Sequence, residues 1–181
     1  MSGRAMIVLI GLMGSGKTTV GRKLAGFMKT KFVDSDELVE AKTGRKVREI
    51  FSDLGEGEFR RLESEVLRDV CGEGNDIVLA VAGGAILSQE NRELLTSTAK
   101  DIVWLDAPTP TLVERTGVDQ HRPLLDGDPS GTLTKMRADR ERLYAEIASQ
   151  KIATESLDAD QVATEILRVC RIDHDAKSAR K

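Results

Sequence analysis

Ile7-Val8-Leu9-Ile10-Gly11-Leu12-Met13-Gly14-Ser15-Gly16-Lys17-Thr18-Thr19-Val20 is the stretch that decides the fold. An unbroken apolar run of the kind a buried strand shows gives way to a glycine-rich turn. A helical pattern follows at once, with Val20, Leu24, Phe27 and Met28 on one face. Within it, Gly11-x-x-x-x-Gly16-Lys17-Thr18 matches the Walker A spacing, in which glycines let successive backbone N–H groups turn inward around an anion. The helix N-terminus adds unpaired donors and partial positive charge. Gly14, Ser15, Gly16 and Thr19 complete the expected cradle for a nucleoside triphosphate, with Lys17 reaching the outer phosphates and the Thr18 hydroxyl ligating Mg2+. A chance match to this pattern in a chain of this length is on the order of one in a hundred, before the flanking strand and helix are required.

The 181 residues suit one domain with its own core, here read as residues 1–171. Acidic residues outnumber Lys and Arg 30 to 27, and aromatics make up only 3% of the chain. There is therefore no cationic field for a polyanion and little to stack on bases, so nucleic acid is not an expected partner. Neither a signal sequence nor a membrane span is recognisable, and Cys71 and Cys170 read as two core thiols. The expected setting is a reducing cytoplasm, and the expected state a monomer.

Downstream, Lys31-Phe32-Val33-Asp34 reads as a short strand ending in Asp34-Ser35-Asp36, where a helix begins. Either aspartate alone could be a helix cap. Two at alternate positions can address different targets, one a metal hydration shell and one an incoming hydroxyl. Helical pieces at Glu37–Lys42 and Val47–Phe51 precede a break over Asp53–Gly57, and a longer helix starts near Glu58 with Phe59, Leu62, Val66 and Val70 facing the core. Arg60 and Glu63, three apart, read on periodicity alone as a surface ion pair.

Ile77–Val81 is the next strand, ending in Ala82-Gly83-Gly84. Ser88 caps a helix through Leu95, Ile102–Leu105 is a fourth strand, and a short helix ends near Thr116-Gly117. From Gly117 to Gly131, charges, prolines and glycines read as a mobile lid carrying His121 and Arg122. Arg122 suits closure over a triphosphate, whereas His121 reads as solvated. The helix from Thr132 to Ser149 places Arg140 on its apolar stripe among Leu133, Met136, Leu143, Tyr144 and Ile147. Such an arginine snorkels, pairs with a buried carboxylate, or borders a cleft for an anion. Lys151–Thr154 is a last strand, Val162, Ile166 and Cys170 stripe a final helix, and residues 172–181 form a polar, disordered tail.

Strands alternating with helices give a parallel sheet covered on both faces, a scaffold for phosphoryl transfer. No Asn-Lys-x-Asp guanine-reading motif occurs, so a small-molecule kinase leads over a GTPase switch. The walker loop, Asp34-Ser35-Asp36, Gly57-Glu58-Phe59-Arg60-Arg61-Leu62-Glu63, Gly83-Gly84, Arg122-Pro123-Leu124-Leu125 and Arg140-x-x-Leu143-Tyr144 together resemble the shikimate kinase family over nearly the whole chain.

The resemblance implies a three-layer P-loop kinase fold of five parallel strands with a lid, and transfer of the ATP γ-phosphate to the 3-hydroxyl of shikimate. It implies that Asp36 binds the shikimate hydroxyls, that Arg60 and Arg140 hold its carboxylate, and that Gly83 and Gly84 lend backbone donors. Asp34 would hold Mg2+ through water, Arg122 would close onto the phosphates, and Arg115 would stack on adenine. Two departures stand out: Ala82 where the family usually has a first glycine, and Ser156-Leu157-Asp158-Ala159 where relatives often place a cation or proline near the base. A sibling kinase for another polyol acid such as gluconate, and a non-catalytic nucleotide-binding regulator, are the rival readings.

Overall fold

The structure, a computed structural model, describes residues 6–117 and 127–172. His121, Arg122 and most of the lid stretch lie outside the described residues, as does the tail from 173. Five strands form one sheet: β1 (Ile7–Ile10), β2 (Lys31–Asp34), β3 (Ile77–Ala80), β4 (Asp101–Asp106) and β5 (Gln150–Ala153). They run in the order β2-β3-β1-β4-β5, every pairing parallel. Among the described residues, seven α-helices connect and cover them: α1 (Lys17–Met28), α2 (Ser35–Thr43), α3 (Val47–Glu73), α4 (Gln89–Thr98), α5 (Thr109–Thr116), α6 (Pro129–Ile147) and α7 (Ala159–Val169).

The continuous apolar reading of β1 is explained by burial on both faces. Val8 and Ile10 pack with Leu67, Leu95, Leu112, Leu133 and Tyr144, from α3 to α6. Ile7 and Leu9 pack on the opposite face with Leu24 of α1 and Ile166 of α7. All four β1 side chains are at most 1% exposed, and burying each aliphatic side chain is worth about 1.5–3 kcal/mol. A third cluster joins Val39 of α2 to Ile50, Phe59, Leu62 and Val66 of α3.

The break expected at Asp53–Gly57 is a kink rather than a gap. Helix α3 runs through it, but Gly55 adopts φ 82°, ψ 170°, a conformation other residues avoid. Helix α6 begins at Pro129, three residues earlier than its apolar stripe indicates, with proline in its first turn and Asp128 capping the Gly131 N–H. Both cysteines are buried and free. Among the described residues, no helix is long and apolar enough to cross a membrane.

Because β1 lies between β3 and β4, the turns that leave β1, β2 and β3 all open on one rim of the sheet. That rim, outside the carboxyl ends of parallel strands, is where such folds bind ligands.

Candidate active site

A cavity of about 630 Å3 occupies this rim. Its walls bring together every site residue expected from the sequence that lies among the described residues: Gly14 to Thr19, Asp34, Asp36, Arg60, Gly83, Gly84, Arg115 and Arg140. These positions span most of the chain, so their convergence is a property of the sheet order.

At one end is the phosphate loop. Gly14 and Gly16 take φ values of 83° and 97°, which an L side chain rarely adopts, and they turn the loop into α1. No side chain caps the N-terminus of α1, so its first amides face the cavity unclaimed by a cap. The Ser15 Oγ is buried with no hydrogen-bond partner among the described residues. Lys17 Nζ donates to the Gly11 and Leu12 carbonyls at 2.8 and 3.0 Å, which folds the ammonium across its own loop.

Beside the loop, Thr18 donates its hydroxyl to Asp34 Oδ2 at 2.8 Å, while Asp34 Oδ1 accepts the Asp36 N–H at 3.0 Å. Asp34 therefore caps α2 with one carboxylate oxygen and accepts the Thr18 hydroxyl with the other. Ser35, fully buried, accepts the Ala82 N–H at 2.9 Å and ties the β2 tip to the turn after β3.

At the other end are the two arginines. Arg140 is only 6% exposed although it carries a full charge. Arg60 lies over the Phe59 ring, 5.3 Å from its centroid, and bonds Glu63 at 3.0 Å and Glu56 at 3.0 Å. The expectation of a surface ion pair for Arg60 and Glu63 is overturned: the Glu63 side chain is 1% exposed. Burial pushes the Glu63 carboxyl up to about 7; the neighbouring charges of Arg60 and Arg140 oppose the shift and that of Asp36 adds to it. Glu63 is thus a buried partner of Arg60, a placement that the sequence reading missed. The signal was present, since it stands four residues after Phe59 and three before Val66, on the same buried stripe.

The turn Ala82-Gly83-Gly84 closes the back wall. Ala82 is not among the residues with positive φ, so alanine costs nothing there in backbone strain. Gly84 is needed for space: a Cβ on it would fall 2.2 Å from Arg60 Nη1. Gly83 accepts a hydrogen bond from Tyr144 Oη at 3.1 Å.

Arg115 is held by Thr154, donating to its hydroxyl at 3.0 Å and its carbonyl at 2.8 Å. It reaches the Gly14 carbonyl at 3.4 Å. Leu157 and Ala159 also line the cavity, so the loop lacking the usual proline or cation offers an apolar surface instead. Val47, Phe51 and Phe59 form a second apolar wall near the arginines.

Known proteins resemble the chain over most of its length. The family described as shikimate kinase matches residues 13–171. A shikimate kinase of Symbiobacterium thermophilum is 48% identical over 164 residues, covering 89% of this chain and 93% of its own length. One from Corynebacterium glutamicum is 37% identical over 93% of this chain and 98% of its own. The solved structure of shikimate kinase from Acinetobacter baumannii in complex with shikimate superposes with a TM-score of 0.88 at 39% identity, covering 91% of this chain and 92% of that one.

Proposed function

The chain belongs to the shikimate kinase family, and from that premise we infer that it transfers the γ-phosphate of ATP to the 3-hydroxyl of shikimate. The products are shikimate 3-phosphate and ADP, a step in the synthesis of chorismate and the aromatic amino acids. The observation that carries the assignment to this site is the pairing of two anion-binding ends in one cavity: the phosphate loop at one, Arg60 and Arg140 at the other, with Asp36 in the same wall.

Phosphoryl transfer asks the protein chiefly for alignment and charge stabilisation. The loop amides and Lys17 would hold the β- and γ-phosphates, with Lys17 exchanging the Gly11 and Leu12 carbonyls for phosphate oxygens. Arg60 and Arg140 would bind the carboxylate as planar forks, which suit a carboxylate better than an ammonium does. Backbone donors of Gly83 and Gly84 would add to the same acid. Asp36 would accept the proton of the attacking hydroxyl as its oxygen bonds to phosphorus and the bond to the ADP oxygen breaks. Arg115 would stack on the adenine against the surface of Leu157, and Arg122 would come onto the phosphates from the lid.

The donor set beside the loop fits a hard divalent cation: a hydroxyl and a carboxylate, 2.8 Å apart, with the phosphate site adjacent. Thr18 would hold Mg2+ directly and Asp34 through water. Bound there, the ion neutralises charge on the transferring group. We place the protein in the cytoplasm, a reading supported by its two buried thiols that form no disulfide, and propose that it acts as a monomer.

The decisive experiment is a coupled assay of ADP release from ATP and Mg2+ with shikimate, gluconate and other polyol acids as acceptors. Turnover should require an acceptor and favour shikimate. ATP binding without acceptor-dependent turnover would instead mark a nucleotide-binding regulator, and preference for gluconate a sibling kinase.

A further inference from the structure

Tyr144 is the only tyrosine of the chain, and its hydroxyl stands at a junction of three elements. It belongs to α6, one turn beyond Arg140, and is 1% exposed. Its ring packs on Trp104 of β4, with centroids 5.6 Å apart and planes tilted by 31°. Its Oη donates to the Gly83 carbonyl at 3.1 Å. The space a Cβ on Gly83 would fill is bounded by Tyr144 Oη at 3.1 Å, Gly11 O at 3.1 Å and Arg140 Nη1 at 3.4 Å. The turn after β3, the phosphate loop and the α6 arginine therefore meet around this hydroxyl.

A phenol has one proton to donate and lone pairs to accept with. With the proton given to Gly83 O, what remains for Arg140 is to donate into the same oxygen. Burial raises the Tyr144 hydroxyl to about 12, against the opposing charge of Arg140 and a hydrogen bond from it, so the group stays a neutral donor.

We propose that Tyr144 is a positioning residue for the acid substrate: its hydroxyl fixes the Gly83 turn and the Arg140 guanidinium relative to each other, so that both meet one carboxylate-bearing ligand. This rests on the reading that Arg140 and the Gly83 turn hold the acid. The residue acts through Arg140 and touches neither the transferring phosphate nor the nucleobase.

The test is Tyr144→Phe, which keeps the ring on Trp104 and removes only the oxygen. The KM for shikimate should rise about tenfold, while the KM for ATP stays within about twofold of the parent. In an Arg140→Ala background the same substitution should add less than about twofold, because its effect passes through the arginine. A lowered melting temperature with an unchanged KM for shikimate would overturn the proposal, leaving Tyr144 a packing residue. If Arg140→Ala itself leaves that KM unchanged, the reading of the acid site fails, a separate result from failure of the tyrosine's role. A second measurement needs no substitution: 3-fluorotyrosine supplied during expression labels Tyr144 alone. Its 19F resonance should move on saturation with shikimate, and a resonance that does not move overturns the proposal.

Discussion

Arg60 lies across Gly84 so closely that a methyl group on residue 84 would sit 2.2 Å from Arg60 Nη1 and force the guanidinium to shift. Gly84 itself has φ −91° and ψ −15°, a right-handed conformation open to alanine. The obstacle is the far end of a flexible side chain, so Gly84→Ala should fold normally and move the arginine. We expect a melting temperature within a few degrees of the parent, about 1 kcal/mol or less. The KM for shikimate should rise about tenfold or more. A parent-like KM would show that Arg60 does not need this resting place to bind the acid.

Asp36→Asn should cut kcat by about a hundredfold or more, leaving ATP affinity near the parent's. The amide cannot accept the hydroxyl proton. Equal collapse of ATP binding, measured by titration calorimetry, would mean that Asp36 serves the phosphate site instead.

Asp34→Asn separates two roles held by one side chain. Asparagine caps helices as well as aspartate does, so stability should change by less than about 1 kcal/mol. The lost charge should raise the Mg2+ concentration needed for half-maximal rate. An unchanged Mg2+ dependence would reduce Asp34 to a cap.

Glu63 supplies a pH signature. Its folded value, about 7, lies above the ordinary 4.5. The stability this group contributes is therefore whole below 4.5 and is lost as pH rises through about 7. The melting-temperature difference between parent and Glu63→Gln should accordingly shift against the parent between about pH 5 and about pH 8. An arriving carboxylate adds negative charge beside Arg60 and raises Glu63 further, so shikimate binding near neutral pH should take up a proton. Calorimetry in buffers of different ionisation enthalpy reads that uptake, which should vanish in Glu63→Gln.

The strands and most helices were legible because their signals are local. β1 announces itself by four consecutive apolar residues, and Ser88 marks the start of α4 three residues before the amide it caps. The P-loop carried its own chemistry in its spacing. What periodicity alone could not separate was a charged residue tied to a surface neighbour from one buried against a ligand site. Arg140 stood out because it interrupts an apolar stripe, and it is buried at the cavity wall. Glu63 did not stand out, because its charged neighbour Arg60 offered a bland partner three residues away. The start of α6 was also obscured, since Pro129 and Gly131 read as loop until Asp128 is seen accepting the Gly131 N–H, with Pro129 in the first turn.

The strand order has a bearing on how this enzyme is made. β1 leaves the ribosome first, yet its neighbours pair through Val78 on one side and Val103 on the other. Arg140 follows later still. A nascent chain thus holds an apolar, unpaired β1 until β3 and β4 have emerged, the condition that favours aggregation in slow-forming parallel sheets. The cavity wall is complete only once Arg140 of α6 has emerged, and truncations ending before α6 should yield insoluble chains rather than weakened enzymes.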